Sequence, residues 1–181
     1  MKVLVVSDTH RNIANVIKIL ETIKALGLKG IIHCGDHIED AKRLQNLYPE
    51  IDIYSVYGNC DGMAHLEECD RVINIGDVPI FITHGHKHGV KWGEYEELFM
   101  DAMTRGVKLA ICGHSHCAYL EKKQGIILLN PGSITLPRDF RYPSYGMLDI
   151  ENGIIKEVSI MQIVDNGIIC THPVGQLFRN K

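Results

Sequence analysis

The chain has 181 residues, 45% hydrophobic and 23% charged, with a formal net charge of -3, which fits one domain with its own core and excludes a disordered chain. The slight acidity argues against a general nucleic-acid binder, and no apolar run approaches the ~20 residues that cross a bilayer. The six cysteines form no CxxC pair, so reduced thiols in the cytoplasm are expected.

In chain order, the opening MKVLVVSDTH turns polar too early for a signal peptide. Its segment Val3 to Val6 reads as a strand buried on both faces. Asn12 can cap a helix whose apolar residues Ile13, Val16, Ile17, Leu20, Ile23 and Leu26 follow helical spacing, with Gly27 as a stop. A strand from Gly30 to His33, a weaker helix from Ile38 to Leu47 and a strand from Ile53 to Tyr57 follow. This β-α-β-α-β order implies parallel pairing.

The pattern then turns strand-rich. Arg71 to Ile75, a Gly76-Asp77 turn and Pro79 to Thr83 predict a hairpin. A helix from Glu94 to about Arg105 precedes a strand from Leu109 to Cys112. Short strands follow near 118–121, 126–129, 145–150 and 154–163, with Asn152-Gly153 as a tight turn. The expected architecture is a single α/β domain spanning 1–181, built of two mixed sheets flanked by helices. The tail after Asp165 is too weakly patterned to assign.

Six stretches ending in metal-ligand chemistry each follow an apolar run: SDTH (7–10), CGD (34–36), YGNCD (57–61), THGH (83–86), CGHSH (112–116) and NPGS (130–133). Carboxylate, imidazole and amide groups at successive strand ends can converge at one sheet edge. Asp8-x-His10 places two ligands on one side of an extended segment. Asp36 is a carboxylate able to bridge two cations, and Asn59 offers a carbonyl oxygen beside Gly58. Any one of these residues alone is an ordinary turn or core residue. With His84, His114 and His116 at further strand ends they form a set of seven. Mixed oxygen and nitrogen donors suit Mn²⁺, Fe or Zn²⁺ rather than thiolate-seeking ions, with Ni²⁺ also possible.

The ordered series DTH, GD, GNxD, HGH and GHxH resembles the calcineurin-like metallophosphoesterase superfamily, and IHCGD, YGNCD, THGH and NPGS resemble its small prokaryotic phosphodiesterase branch. The resemblance runs from Met1 to roughly Ile163. It implies a four-layer α/β/β/α sandwich with two divalent metal ions at the sheet edge, Mn²⁺ favoured. Asp8, His10, Asp36 and His116 would hold one ion. Asp36, Asn59, His84 and His114 would hold the other, with Asp36 bridging and Asp36, Asn59 and His84 at the catalytic centre. Two divalent cations against two carboxylates leave a cationic pocket suited to a small phosphate ester. Ions ~3.5–4 Å apart can clamp the attacking and leaving oxygens of an in-line displacement by a bridging hydroxide.

Beyond this set, His86 and His88 are expected to contact substrate oxygens, orient His84 or line a polar rim. His33 and Asp61 are candidate supports, and Asn130 and Arg138 are candidate phosphate contacts beside a plain turn reading for the NPGS loop. His65 and His172 read as surface residues. Many superfamily members carry His between the Asn and the acid of the third motif, where it acts as proton donor to the leaving group. Here that catalytic position is Cys60, whose thiol (reference pKa ~8.5) suits proton transfer at neutral pH less well.

The main alternative is a non-catalytic scaffold for protein partners, as in one eukaryotic retromer subunit of similar fold, but no ligand residue is lost here. A metallo-β-lactamase reading of His84-x-His86-x-His88 fails because Lys87 stands where that motif needs Asp. A nuclease is disfavoured because no basic surface is evident, so neither a stable nucleic-acid partner nor a membrane is expected. Exposed sheet edges make a homo-oligomer plausible.

Overall fold

The structure, a computed structural model, describes residues 1–62 and 68–177. Its elements in order are β1 (Lys2–Val6), α1 (Ala14–Ile23), β2 (Leu28–His33), α2 (Ile38–Leu47), β3 (Asp52–Ser55), β4 (Asp70–Ile75), β5 (Val78–Thr83), α3 (Glu96–Thr104), β6 (Leu109–Ile111), β7 (Ala118–Lys123), β8 (Ile126–Pro131), β9 (Ser144–Glu151), β10 (Ile154–Ile163) and β11 (Ile169–Leu177). One sheet runs β11-β10-β9-β1-β2-β3 and the other β4-β5-β6-β8-β7. Within them β1, β2 and β3 are parallel to one another, as are β5, β6 and β8.

Alternation along the strands builds the layers. Val3 and Val5 of β1 point between the sheets, where they meet Ile80, Ile82, Leu109, Ile111, Ile127 and Leu129. Leu4 and Val6 point the other way, against Val16, Ile19 and Leu20 of α1 and Leu44 of α2. On the far side Phe81, Ala110 and Leu128 pack on Leu98, Phe99 and Ala102 of α3. Both central sheets are therefore buried on two faces, which is why their strands read as continuous apolar runs. The order of layers is helix, sheet, sheet, helix.

Most local signals behave as the chain order suggests. Asn12 Oδ1 accepts the Ala14 N–H at 3.1 Å just ahead of α1. The capping position itself is Ile13, one residue later and without a side-chain cap, while Gly27 ends the helical segment at φ 84°. The two-residue turns Gly76-Asp77 and Asn152-Gly153 both have paired positive φ, which matches the twist of a tight hairpin. The tail corrects the sequence reading: Ile169–Leu177 is an edge strand antiparallel to β10. Pro173 and Gly175 mask it in the sequence, because an edge strand tolerates residues a central one would not.

Candidate metal centre

The carboxyl ends of β1, β2, β5 and β6 meet where the two sheets abut, and backbone bonds tie their loops together. Asp8 N–H donates to Gly35 O at 3.2 Å, and Gly113 N–H to His84 O at 3.0 Å. His114 N–H donates to Asp8 Oδ2 at 3.0 Å, and Cys60 N–H to Asp36 Oδ1 at 3.0 Å. Glycine makes this closeness possible. A Cβ on Gly113 would lie 1.7 Å from Ser7 Oγ, and one on Gly58 would lie 2.2 Å from Asp36 Oδ1. The G in GD, GN and GH is thus a packing requirement, not only a turn preference.

Strain concentrates at the same place. Among the described residues ten non-glycines have positive φ, and Asp8, His10, Arg11, Asp36, His37, His114 and His116 are seven of them. The other three sit in hairpin turns between strands. Such conformations cost about 1–3 kcal/mol each and persist where packing over-determines them, typically at functional sites.

Two backbone carbonyls set the imidazoles. His84 Nδ1 lies 2.7 Å from Cys34 O, and His116 Nδ1 lies 2.7 Å from Leu136 O. Each Nδ1–H is thereby spent on a carbonyl, which leaves Nε2 as the free lone pair. His84 Nε2 then faces Asn59 Oδ1 at 3.0 Å and Asp36 Oδ1 at 3.3 Å. His116 Nε2 faces His10 Nε2 at 3.1 Å and Asp8 Oδ1 at 3.3 Å. Acceptors pointed at acceptors at this range repel one another unless a cation lies among them. Asp8 Oδ1 is moreover buried without a hydrogen-bond partner. These donors fit divalent metal ions.

The ligand atoms of Asp8, His10 and His116 lie within 4.8 Å of one another, as do those of Asp8, Asp36 and His84. Asp8 thus reaches into both groups, whereas the resemblance gave it to one. The His114 ring flanks the second group, its centroid 5.0 Å from that of His84.

Apart from His116, whose pKa Asp8 and the Leu136 carbonyl raise against the pull of burial, the shifted ligand groups suit ligation. Burial opposes the Asp8 charge, but the His116 imidazole beside it and the charge of His84 hold its pKa below the usual value. Burial pushes His10 down, and burial with the neighbouring His84 charge pushes His114 down to about 4. Carboxylate anions and neutral imidazoles are the forms that bind metal. Cys60 is solvent-accessible, yet partial burial, its hydrogen bond to Asp36 and the Asp36 charge push its thiol up to about 12. It holds its proton too tightly to donate readily near neutrality.

Other sequence expectations divide. Asn130 is fully buried, and its Nδ2 donates to Gly113 O at 2.8 Å and Ser115 Oγ at 3.0 Å. It braces the GHSH loop and is not a phosphate contact. Ser133, in the same stretch, donates to Asp8 O at 2.9 Å and accepts from Leu136 N–H, so the NPGS loop supports both halves of the site. Arg138 is exposed near His116.

His88 pairs with Asp101 of α3 at 3.2 Å, which fixes it as a structural tie outside the site. His86 sets its ring 5.4 Å from that of His84 with Nδ1 buried and unpartnered. His33 and Asp61 are supports. His33 contacts Thr9 Oγ1, which donates to Asp40 at 2.7 Å, while Asp61 accepts from Ile38 and Gly58 N–H at 2.8 Å each. His172 corrects the surface reading, being only 1% exposed and packed edge-on against Phe140. It is covered because the unassigned tail forms β11. His65 lies outside the described residues.

Sequence reasoning missed His37, which sits within reach of His10 and Cys60. Its one signal was its place directly after Asp36.

Residues 1–153 match the calcineurin-like phosphoesterase superfamily domain. A probable metallophosphoesterase of Bacillus subtilis is 33% identical over 153 residues, covering 84% of this chain and 86% of that protein. A phosphodiesterase of Methanocaldococcus jannaschii is 30% identical over 173 residues, covering 87% and 98%. Among solved structures, Vps29 of Entamoeba histolytica complexed with zinc superposes with a TM-score of 0.75 at 25% identity, covering 98% of each chain. The chain belongs to the calcineurin-like phosphoesterase superfamily, and is a metal-dependent phosphoesterase.

Proposed function

We propose that the whole chain acts as one metallophosphoesterase domain that hydrolyses small phosphodiesters with two divalent ions, Mn²⁺ preferred. The observation that carries this reading is the pair of lone-pair clusters around His84 Nε2 and His116 Nε2, joined through Asp8 and Asp36. Bound divalent ions would supply Lewis-acid charge and acidify a water toward a pKa of ~7. Asp8, His10, Asp36 and His116 would hold one of them, and Asp36, Asn59, His84 and His114 the other.

The chain's own groups do the rest. The carbonyls of Cys34 and Leu136 lock two imidazoles in one tautomer, and Gly35, Gly58 and Gly113 let the loops close without intervening atoms. A cavity of about 530 Å³ opens beside Cys60, lined by Arg11, His37, Lys42, Arg43 and Tyr57. Glu39, Asp40 and Asp61 line it too, and Lys42 and Arg43 pair with Glu39 and Asp40, so the attraction for an anionic ester would come from the bound cations. The thiol at position 60 is a poorer proton donor than an imidazole, so the reading favours esters with acidic leaving alcohols. The six free cysteines agree with a reducing cytoplasm. Retention of all seven ligand residues weighs against the scaffold alternative.

The test is hydrolysis of bis(p-nitrophenyl) phosphate and of p-nitrophenyl phosphate by chelator-stripped protein resupplied with Mn²⁺, Zn²⁺ or Ni²⁺. Mn²⁺-restored turnover, faster on the diester, is expected. Turnover that survives complete chelation would sink the two-ion mechanism, and none with any metal or ester would favour the scaffold.

A further inference from the structure

We propose that His10, His37 and Cys60 form a third cation site, which takes a thiophilic divalent ion such as Zn²⁺ and competes for His10 with the centre described above. One ligand atom from each of the three residues lies within 4.8 Å of the others. The rings of His10 and His37 approach edge to face at 5.5 Å and 72°. None of the seven residues of the proposed two-ion centre is a thiol, so this donor set is chemically distinct.

Three further observations support it. His37 has φ 70° directly after Asp36 at φ 56°, two consecutive left-handed non-glycine residues. Its side chain does not cap α2, although it stands at the capping position. Strain of that kind persists where a function retains it. Cys60 is anchored through its backbone N–H to Asp36 Oδ1, and its thiol faces Asn59 Nδ2 at 3.6 Å and the Asp36 carboxylate. The cavity of about 530 Å³ lined by His37 and Cys60 gives an ion a path from solvent.

Two imidazoles and a thiolate leave a fourth tetrahedral position for water, a donor set that suits Zn²⁺ better than Mn²⁺. On binding, the Cys60 S–H bond breaks, the sulfur electron pair goes to the cation and the proton leaves to solvent. His10 belongs both to this group and to the one with Asp8 and His116. Filling the third site therefore draws on a residue of the catalytic centre, and excess Zn²⁺ inhibits. Only this inhibitory consequence rests on the two-ion reading.

The experiment titrates the chelator-stripped full chain with Co²⁺ and follows thiolate-to-cobalt charge-transfer absorption, with ion content measured in parallel. The wild type is expected to develop the band after thiolate-free sites fill, and Cys60→Ser to lose it. His37→Asn, which keeps a residue tolerant of positive φ, should weaken the band-forming affinity by about tenfold or more, as loss of a metal-site partner does. Zn²⁺ inhibition of the Mn²⁺-activated wild type should ease in Cys60→Ser. Thiolate-free binding without any band overturns this site and leaves the two-ion centre standing. A band that persists in Cys60→Ser, or an affinity untouched in His37→Asn, also overturns it. A thiolate band with no thiolate-free ions would overturn the two-ion centre and leave this site standing.

Discussion

His84 Nδ1 lies 2.7 Å from the carbonyl oxygen of Cys34, and the residue between that carbonyl and Asp36 is Gly35. A Cβ at position 35 would sit 2.7 Å from the same Nδ1 and 2.9 Å from Cγ of the ring. The bond that fixes the tautomer of His84 thus exists because residue 35 has no side chain. Gly35→Ala should turn the ring away and lower metal affinity by about 10–100-fold, the usual cost of losing a ligand's support. Gly106→Ala is the control, since Gly106 also has positive φ, at 68°, but nothing lies within 4 Å of the added Cβ. It should cost stability alone. Equal metal content in both variants would show that crowding at His84 does not matter.

Asp36 is expected to be needed for both ions. Its carboxylate faces His84 Nε2 at 3.3 Å and His10 Nε2 at 3.9 Å, one oxygen toward each. Asp36→Asn removes the charge while keeping the shape. Metal content and turnover should fall together, by more than the ~10–100-fold expected of a supporting residue. Asp61→Asn, which alters a loop brace, should fall less. Two tightly held ions with full activity in Asp36→Asn would show that this carboxylate does not join the groups.

Acid should destabilise the metal-free protein through His33. Burial depresses its pKa to about 4, with Asp40 only partly opposing, against an ordinary value near ~6.5 when unfolded. The unfolded chain therefore takes up the proton first. Stability is full above pH ~6.5, falls as pH drops from there toward 4 and levels off below. Between pH 7 and 5 the loss from this residue is roughly 2 kcal/mol. Urea unfolding at both pH values, on wild type and His33→Gln, should show a smaller pH effect in the variant. An unchanged difference would mean that another group carries it.

The strands and ligands were legible because two simple signals coincided. A strand buried on both faces must be apolar throughout, so Val3 to Val6 and Ile80 to Ile82 stand out, and a chemical residue just past such a run stands at a sheet edge. The supports were less legible for a physical reason. The groups orienting His84 and His116 are the backbone carbonyls of Cys34 and Leu136, which every residue has. Asn130 reads as a turn residue although its amide braces the GHSH loop, because spacing says nothing about which carbonyl folds back over it. His172 was misjudged along with β11, since an edge strand carrying Pro173 lacks the clean alternation of an inner one. His37 was overlooked because helix spacing began at Ile38, while its role depends on a left-handed backbone that no local pattern announces.

The last prediction concerns how the leaving group receives its proton. Protonation matters little when the departing alcohol is a nitrophenol and much when it is a sugar or alkyl hydroxyl. General acid help is typically worth ~10²–10⁴-fold, and the Cys60 thiol, held at about 12, supplies little of it at neutral pH. The wild type should therefore favour activated esters strongly, and Cys60→His should raise kcat/KM selectively on alkyl and nucleotide diesters. Asp61 is not free to orient the new imidazole, because its two carboxylate oxygens already accept the N–H groups of Ile38 and Gly58. Without that alignment the gain should fall near the lower end, about 10²-fold. The comparison is kcat/KM of wild type, Cys60→His and Cys60→Ala on one aryl and one alkyl diester. Cys60→Ala should resemble wild type on the aryl ester and stay slow on the alkyl one. If histidine and alanine had the same effect on both substrates, the proton would not pass through position 60, and water reaching the leaving oxygen from the open cavity would be its source.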